Sequence, residues 1–327
     1  MPPGQTRRIL KPNKGVQASG HGKKRVFIRV LGAAAGGGYP QWNCNGAVSR
    51  AAWDGQPGAL RRTQSSLALS ADGVSFVLLN ASPDIREQIG AHPALQPRAD
   101  GPARNSPLAA VVLTNGDVDH VAGLLSLRER HRFSLHATLR VLDVLAANPI
   151  FRVLDPACVS RHPLPLGAPV TIAGLKIEAF SVPGKIALYL EDARAPGFGT
   201  QEGDTIGLKI TSPGGKTLFY IPGCAQITDA LRTRLSGADV LFLDGTLFTD
   251  NEMIRAGLSD KTGARMGHVS MSGPEGAMAG LENTRIARRI FIHINGSNPA
   301  LIDASPERRA VEAAGWDVAH DGMEFSL

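Results

Sequence analysis

The sequence predicts an α/β fold with mixed sheets, and three observations lead there. Short, mostly apolar runs alternate with helix-length stretches, Gly and Pro punctuate the junctions, and no segment repeats at a fixed period. Val26–Leu31 reads as the first strand and ends in the glycine-rich turn Gly32–Gly38. Ser66–Ser70 and Ser75–Leu79 flank Ala71-Asp72-Gly73, a hairpin signal. Pro83–Ile89 reads as a helix. Leu108–Thr114 is a continuous apolar strand that stops at Asn115-Gly116, and Val121–Glu129 follows as a helix. Val170–Phe180, Thr205–Ile210 and Thr217–Ile221 read as strands, the last two joined through Gly214-Gly215. Ile227–Leu235 and Pro306–Ala314 are helical stretches, while Val240–Leu243 and Ile290–Ile294 are short strands of the buried kind.

Of the 327 residues 43% are apolar, enough for a buried core. The formal charge of +6 invites a nucleic-acid reading, but its location argues against one. Arg7, Arg8, Lys11, Lys14, Lys23, Lys24 and Arg25 occupy a segment without Asp or Glu, leaving 28 basic against 29 acidic residues in 26–327. Residues 1–25 are therefore expected to form a disordered basic tail, and 26–327 a single, nearly neutral domain. No apolar run is long enough for a membrane span, and the first residues lack a signal-peptide core. Three widely spaced cysteines, Cys44, Cys158 and Cys224, imply no disulfide framework, so a cytoplasmic setting is expected.

Three apolar strands deliver ionisable groups at or near their carboxyl ends, where functional residues of such sheets collect. Leu108–Thr114 leads into Asn115-Gly116-Asp117-Val118-Asp119-His120, Val240–Leu243 into Asp244-Gly245-Thr246, and Ile290–Ile292 into His293. Met266-Gly267-His268 places another histidine in a glycine-flanked loop. A lone strand-end histidine is ordinarily a hydrogen-bonded residue. The Asp-x-Asp-His cluster, joined by Asp244 and His293, shifts the reading to a metal site. Gly32–Gly38 has neither the spacing nor the following helix of a dinucleotide fingerprint, because Tyr39-Pro40 stands where that helix would start.

The run Asn115–His120 resembles a degraded HxHxDH signature of metallo-β-lactamase-fold proteins, with Asp119 and His120 kept and Asn115 and Asp117 in place of two histidines. The histidine expected near Ser181–Lys185 is absent, so a dizinc hydrolase would lack three ligands. These departures resemble one branch of that superfamily, the pyrroloquinoline quinone (PQQ) synthesis protein B family. The resemblance rests on Gly32–Cys44, Arg62–Ser66, Asn80–Arg86, Thr114–Leu125, Ile221–Cys224, Asp244–Thr246, Met266–His268, Ile292–Asn295 and Asp321-Gly322. It covers residues 26–327.

The resemblance implies a four-layer αββα sandwich working in PQQ biosynthesis. Its activity would be iron(II)- and O2-dependent hydroxylation of the tyrosine ring in a Glu-Tyr unit cut from a precursor peptide. A non-catalytic carrier of PQQ or its precursor is the alternative, and a metal-dependent hydrolase the second. In this reading Asp119, His120 and His293 bind Fe2+, or zinc in its place, with Asp117 as a fourth oxygen ligand. Asp244 either binds the metal or orients a ligand histidine. His268 handles protons near the substrate phenol. Asp84 and Arg86 grip the charged ends of the peptide, although Asp84 equally suits a helix N-terminus. The expected partners are the small peptide-derived substrate or a quinone intermediate and other proteins of the pathway, with no nucleic acid and no membrane. Family members commonly carry CxCxxC, but here Gly46 and Ser49 follow Cys44. One thiolate does not close a structural zinc site, so the loop from Trp42 to Trp53 is either held by packing or mobile.

Overall fold

The computed structural model describes residues 25–327, and all but the last residue of the expected basic tail lies outside them. Alternation of side chains along each strand builds the architecture. The first sheet contains β1 (Phe27–Gly32), β2 (Ser66–Ser70), β3 (Phe76–Leu79), β4 (Leu108–Val112), β5 (Phe133–Ala137) and β6 (Val159–Pro163). The second contains β7 (Pro169–Ile172), β8 (Leu175–Ser181), β9 (Ile206–Thr211), β10 (Thr217–Ile221), β11 (Ala238–Asp244), β12 (Ile286–Ile292) and β13 (Trp316–Val318). A last strand, β14 (Glu324–Ser326), returns to β1, giving the orders β14-β1-β2-β3-β4-β5-β6 and β13-β12-β11-β10-β9-β8-β7. Both sheets change character halfway. Pairing is antiparallel as far as β3 and β10, and parallel from β3 to β6 and from β10 to β13.

The inner faces meet in one core, with Val30, Leu69, Leu79 and Val112 against Leu208, Tyr220, Phe242 and Ile290. Residues one step along the same strands point outward and need helices over them. Val111 and Leu135 pack with Ile85 of α2 (Ile85–Ala91) and Val141 of α4 (Leu139–Ala147). Leu241 and Phe291 pack with Leu231 of α5 (Asp229–Leu235) and Val311 of α9 (Pro306–Ala313). Helix, sheet, sheet and helix are thus the four layers that the resemblance implies. Three of these four helices start at side-chain caps: Thr138, Thr228 and Ser305 accept from Val141 N, Leu231 N and Arg308 N.

Some expectations need correction. Val170–Phe180 is not one strand but a hairpin, because Ala173 and Gly174 both take positive φ (45° and 80°) and close a two-residue loop between Ile172 and Leu175. The helix expected over Val121–Glu129 starts earlier, as α3 (Val118–Val121), and tightens into 3-10 turns over Ala122–Leu127. Residues 47–53, left undecided, form α1 (Ala47–Trp53), with Ser49, Ala51 and Ala52 buried; packing therefore holds the Cys44 loop. Among the described residues, no helix is long and apolar enough to cross a membrane.

A buried polar knot sets the site loop on the sandwich. Asn80 (φ 64°) accepts from Thr114 N at 2.9 Å, and its amide donates to Thr114 Oγ1 and the Tyr220 hydroxyl. Past that knot Ala81 N donates to His120 O, and Gly123 N to Ala81 O. A Cβ on Gly123 would stand 2.1 Å from Ser82 O, so only glycine lets the chain turn so closely there.

Candidate metal centre

Parallel pairing brings the carboxyl ends of β11 and β12 side by side, and the loop after β4 meets them from the other sheet. The segment after β1 ties the two sheets here: Ala35 N donates to Ile294 O and Ile294 N to Ala33 O, both at 2.9 Å. At this junction Asp119, His120 and His293 place one ligand atom each within 4.8 Å of one another.

His120 is 1% exposed. Its Nδ1 stands 2.6 Å from Asn115 Oδ1, and the Asn115 amide nitrogen donates to Asp117 Oδ2 at 2.8 Å, which fixes the asparagine's orientation. The Nδ1 therefore carries the proton, and Nε2 is left as a bare lone pair. Among the described residues that Nε2 is buried with no hydrogen-bond partner. Burial drives the His120 pKa down to about 4, so the ring is neutral, the form that binds a metal.

His293 is built by a different local device. It sits at φ 59°, a left-handed conformation that L residues other than glycine adopt mainly where the surroundings impose it. Its Nδ1 donates to Thr246 Oγ1 at 2.9 Å, and Thr246 in turn donates to Asp244 Oδ1 at 2.7 Å. Its Nε2 faces Asp119 Oδ2 at 2.9 Å. Burial disfavours the charged ring, but the Asp119 carboxylate outweighs it and raises the His293 pKa. Asp119 moves the other way: burial would raise it, yet the His120 and His293 rings hold it well below the usual carboxylate range. A cation here replaces the proton shared by His293 and Asp119, so the donor set of two imidazoles and one carboxylate fits a divalent first-row metal.

A Beta-lactamase superfamily domain model matches residues 76–294. A coenzyme PQQ synthesis protein B of Xanthomonas campestris pv. campestris (strain B100) is 54% identical over 300 residues, covering 92% of this chain and 99% of that relative. This chain belongs to the coenzyme PQQ synthesis protein B family. The relative of the same description from Methylobacterium sp. (strain 4-46) is 55% identical over 301 residues, or 91% and 99% of the two chains. The crystal structure of Zn2+-bound PqqB from Methylobacterium extorquens aligns with a TM-score of 0.88 at 50% identity, covering 92% of this chain and all of that one. A diphosphatase of the PhnP family, at 22% identity and a TM-score of 0.65 over 93% and 98% of the two chains, shares the fold alone.

The other expected residues of this PqqB-family chain fall into three groups. Asp244 forms a second candidate ligand set with His268 and His293, but both of its oxygens are engaged in hydrogen bonds here. Its Oδ1 accepts from Thr246 N and Oγ1, and its Oδ2 from Cys224 N at 2.9 Å and His268 Nδ1 at 2.7 Å. Of the two roles expected for it, the geometry favours orienting His268 and, through Thr246, His293. His268 lines the cavity with its Nε2 edge free of the Asp244 bond, and stacks on His293 at 5.4 Å between ring centroids. Asp117 lines the same cavity but stands outside the three-residue cluster, its Oδ2 engaged by Asn115. Burial and the adjacent Asp119 charge raise its pKa to about 6.

Asp84 and Arg86, expected to grip the substrate, do not line this cavity. The Asp84 carboxylate accepts from Gln64 N and Nε2 at 2.8 and 3.0 Å, and it does not cap α2. Arg86 is exposed. That network instead backs the glycine turn, since Gln64 Oε1 accepts from Gly37 N, while a Cβ on Gly36 would touch Asp119 at 3.7 Å.

Sequence reasoning missed Thr246 as a linker of two histidines, although a hydroxyl two residues past a strand-end aspartate was a usable signal. It also missed the strap over the cavity. Glu191 takes Arg265 bidentately (Nη2 to Oε2 2.9 Å) and also pairs with Lys185, while Tyr189 donates to Gly116 O at 2.7 Å. Arg265 lies over the Phe198 ring, 3.7 Å from its centroid. The Arg265 hydrogen bonds, with those of Lys185, outweigh burial and hold the Glu191 pKa at about 2. The latch is therefore fully made above about pH 4.5 and is lost only as pH falls through about 2. Glu191→Gln is expected to speed proteolytic cleavage within residues 186–200 several-fold at neutral pH with metal content unchanged. Equal cleavage rates would show that the strap is held elsewhere.

Proposed function

We propose that this chain acts in PQQ biosynthesis as an iron(II)- and O2-dependent hydroxylase of the tyrosine ring in a Glu-Tyr unit derived from a precursor peptide. The observation that carries the reading is the buried, partnerless Nε2 of His120 beside Asp119 and His293. Two histidines and one carboxylate are the donor set of non-haem iron oxygenases, and the bound iron would supply dioxygen binding and activation at its remaining open positions. Family membership supports the pathway.

The protein's own groups do the positioning. Asn115 holds His120 in the Nδ1–H tautomer, and Thr246 and Asp244 hold His293. His268, its Nδ1 against the Asp244 carboxylate at 2.7 Å, would accept the phenol proton at its Nε2. Leu188, in the segment that Glu191 latches to Lys185 and Arg265, lines the cavity. In the balance, one oxygen atom enters the ring in place of hydrogen and the other leaves as water, with two electrons from an external reductant.

The test is direct. Protein loaded anaerobically with one ferrous ion per chain, then given Glu-Tyr, ascorbate and oxygen, is expected to yield a catechol one oxygen atom heavier. Absence of that product, with tight quinone binding retained, would favour the carrier. A second metal ion per chain would favour the hydrolase.

A further inference from the structure

We propose that Lys261 is the anion anchor of the cavity, binding the carboxylate of a small aromatic acid whose ring reaches in towards Asp119, His120 and His293. The assignment of that ring as tyrosine rests on the function proposed above; the anchor itself rests on charge placement. The cavity measures about 330 Å³, and its lining acids Asp117 and Asp119 lie beside the His120 and His293 rings, with Asp244 buried behind Thr246 and His268. A ligand carboxylate pointed at those acids is repelled, so an acid enters with its charge outward.

Two lysines line this cavity, and they are not equivalent. Lys185 is paired with Glu191, which also holds Arg265 at the strap. Lys261 has no side-chain hydrogen bond or ion pair among the described residues, and it is half-buried against the cavity. Its backbone is held while its head is free. Lys261 N donates to Ser259 Oγ at 3.1 Å, Thr262 caps the following α7 (Gly263–Met266), and Gly263 N donates to Asp250 O. The same short loop delivers His268 six residues after Thr262, through Gly267 in the left-handed conformation (φ 85°). Leu188, Met253 and Met266 line the cavity as well and offer a soft apolar wall to a ring. A compact ammonium on a flexible stem suits a single carboxylate without demanding bidentate geometry.

The test is equilibrium binding to zinc-loaded full-length protein of a matched pair, 3-(4-hydroxyphenyl)propanoate and its amide. The wild type is expected to prefer the acid by about tenfold, the size of one charge-assisted bond. Lys261→Met is expected to erase that preference while binding the amide and zinc as the wild type does, and Lys261→Arg to keep most of it. A wild type blind to the charge, or a Lys261→Met variant that still prefers the acid through the metal, overturns the proposal. So does a variant weakened equally for both ligands, which would mean a structural role. Acid preference without hydroxylation sinks only the oxygenase reading, and hydroxylation with equal affinities sinks only the anchor.

Discussion

Replacing His120 by alanine is expected to strip the centre of its metal, lowering iron retention and turnover by more than about 100-fold. Losing a group that merely orients a ligand costs roughly 10–100-fold in metal affinity, and His120 contributes the donor itself. Its Nε2 is the one donor of the three with no protein partner, so nothing in the fold competes with a cation for it. The neutral ring, with its pKa near 4, needs no deprotonation step, whereas the Asp119 carboxylate raises the His293 pKa and makes that imidazole the more readily protonated of the two. Two consequences follow for measurement. Metal content of the purified His120→Ala variant should fall to background. Wild-type metal affinity should weaken as pH drops through the raised pKa of His293, because the charged imidazole cannot bind. A variant that retains one ion per chain with wild-type affinity would remove His120 from the ligand set.

Asp244→Asn carries the second large effect, because each carboxylate oxygen receives two donors. An asparagine of the same shape must turn its NH2 group towards two of them, whichever way the amide is flipped. Buried donors left unsatisfied cost about 1–3 kcal/mol each, so a loss of at least about 2 kcal/mol is expected in denaturant unfolding. Metal affinity should drop by roughly 10–100-fold as His268 and the Thr246–His293 link lose their orientation. The acid limb of the stability profile should flatten too. Burial alone would raise the Asp244 pKa, but the His268 imidazole, with His293 and the Thr246 bond, lowers it. A depressed carboxylate stabilises the fold above its unfolded pKa, and that contribution is lost as pH falls. Unchanged stability with complete loss of metal would instead make Asp244 a ligand.

Much of the site was legible because it follows strand ends. Asp119, His120, Asp244 and His293 each lie at or within a few residues of the end of an apolar run, and apolar runs are read from composition alone. Asp84 and Arg86 lie away from the site cavity, and their sequence does not say so. A charged turn after Pro83 looks the same in sequence whether it faces a cavity or answers a glutamine from another loop, and Gln64 lies 20 residues away. The hairpin at Ala173-Gly174 was hidden because its apolar flanks run on through the turn, so periodicity showed no break. Lys261 carried no sequence signal; its distinction is the absence of a carboxylate that Lys185 has.

Local pattern thus did not show β5, β6, β13, β14 or α4, but it determined β1 to β4, β9 to β12, the helices α2, α5 and α9, the near-neutral charge balance after residue 25 and the family signature around Asp119-His120. It could do so because alternation, turn residues and short motifs act over a few neighbouring positions. Tertiary structure alone decided which groups share a proton, which oxygens are filled and which nitrogen stays bare. Asp119 and His293 are 174 residues apart yet 2.9 Å from each other, and Asp244 reaches His268 across 24 residues. Such pairings arise from the meeting of two sheets. Ligand, orienting residue and bystander are roles that only that meeting assigns.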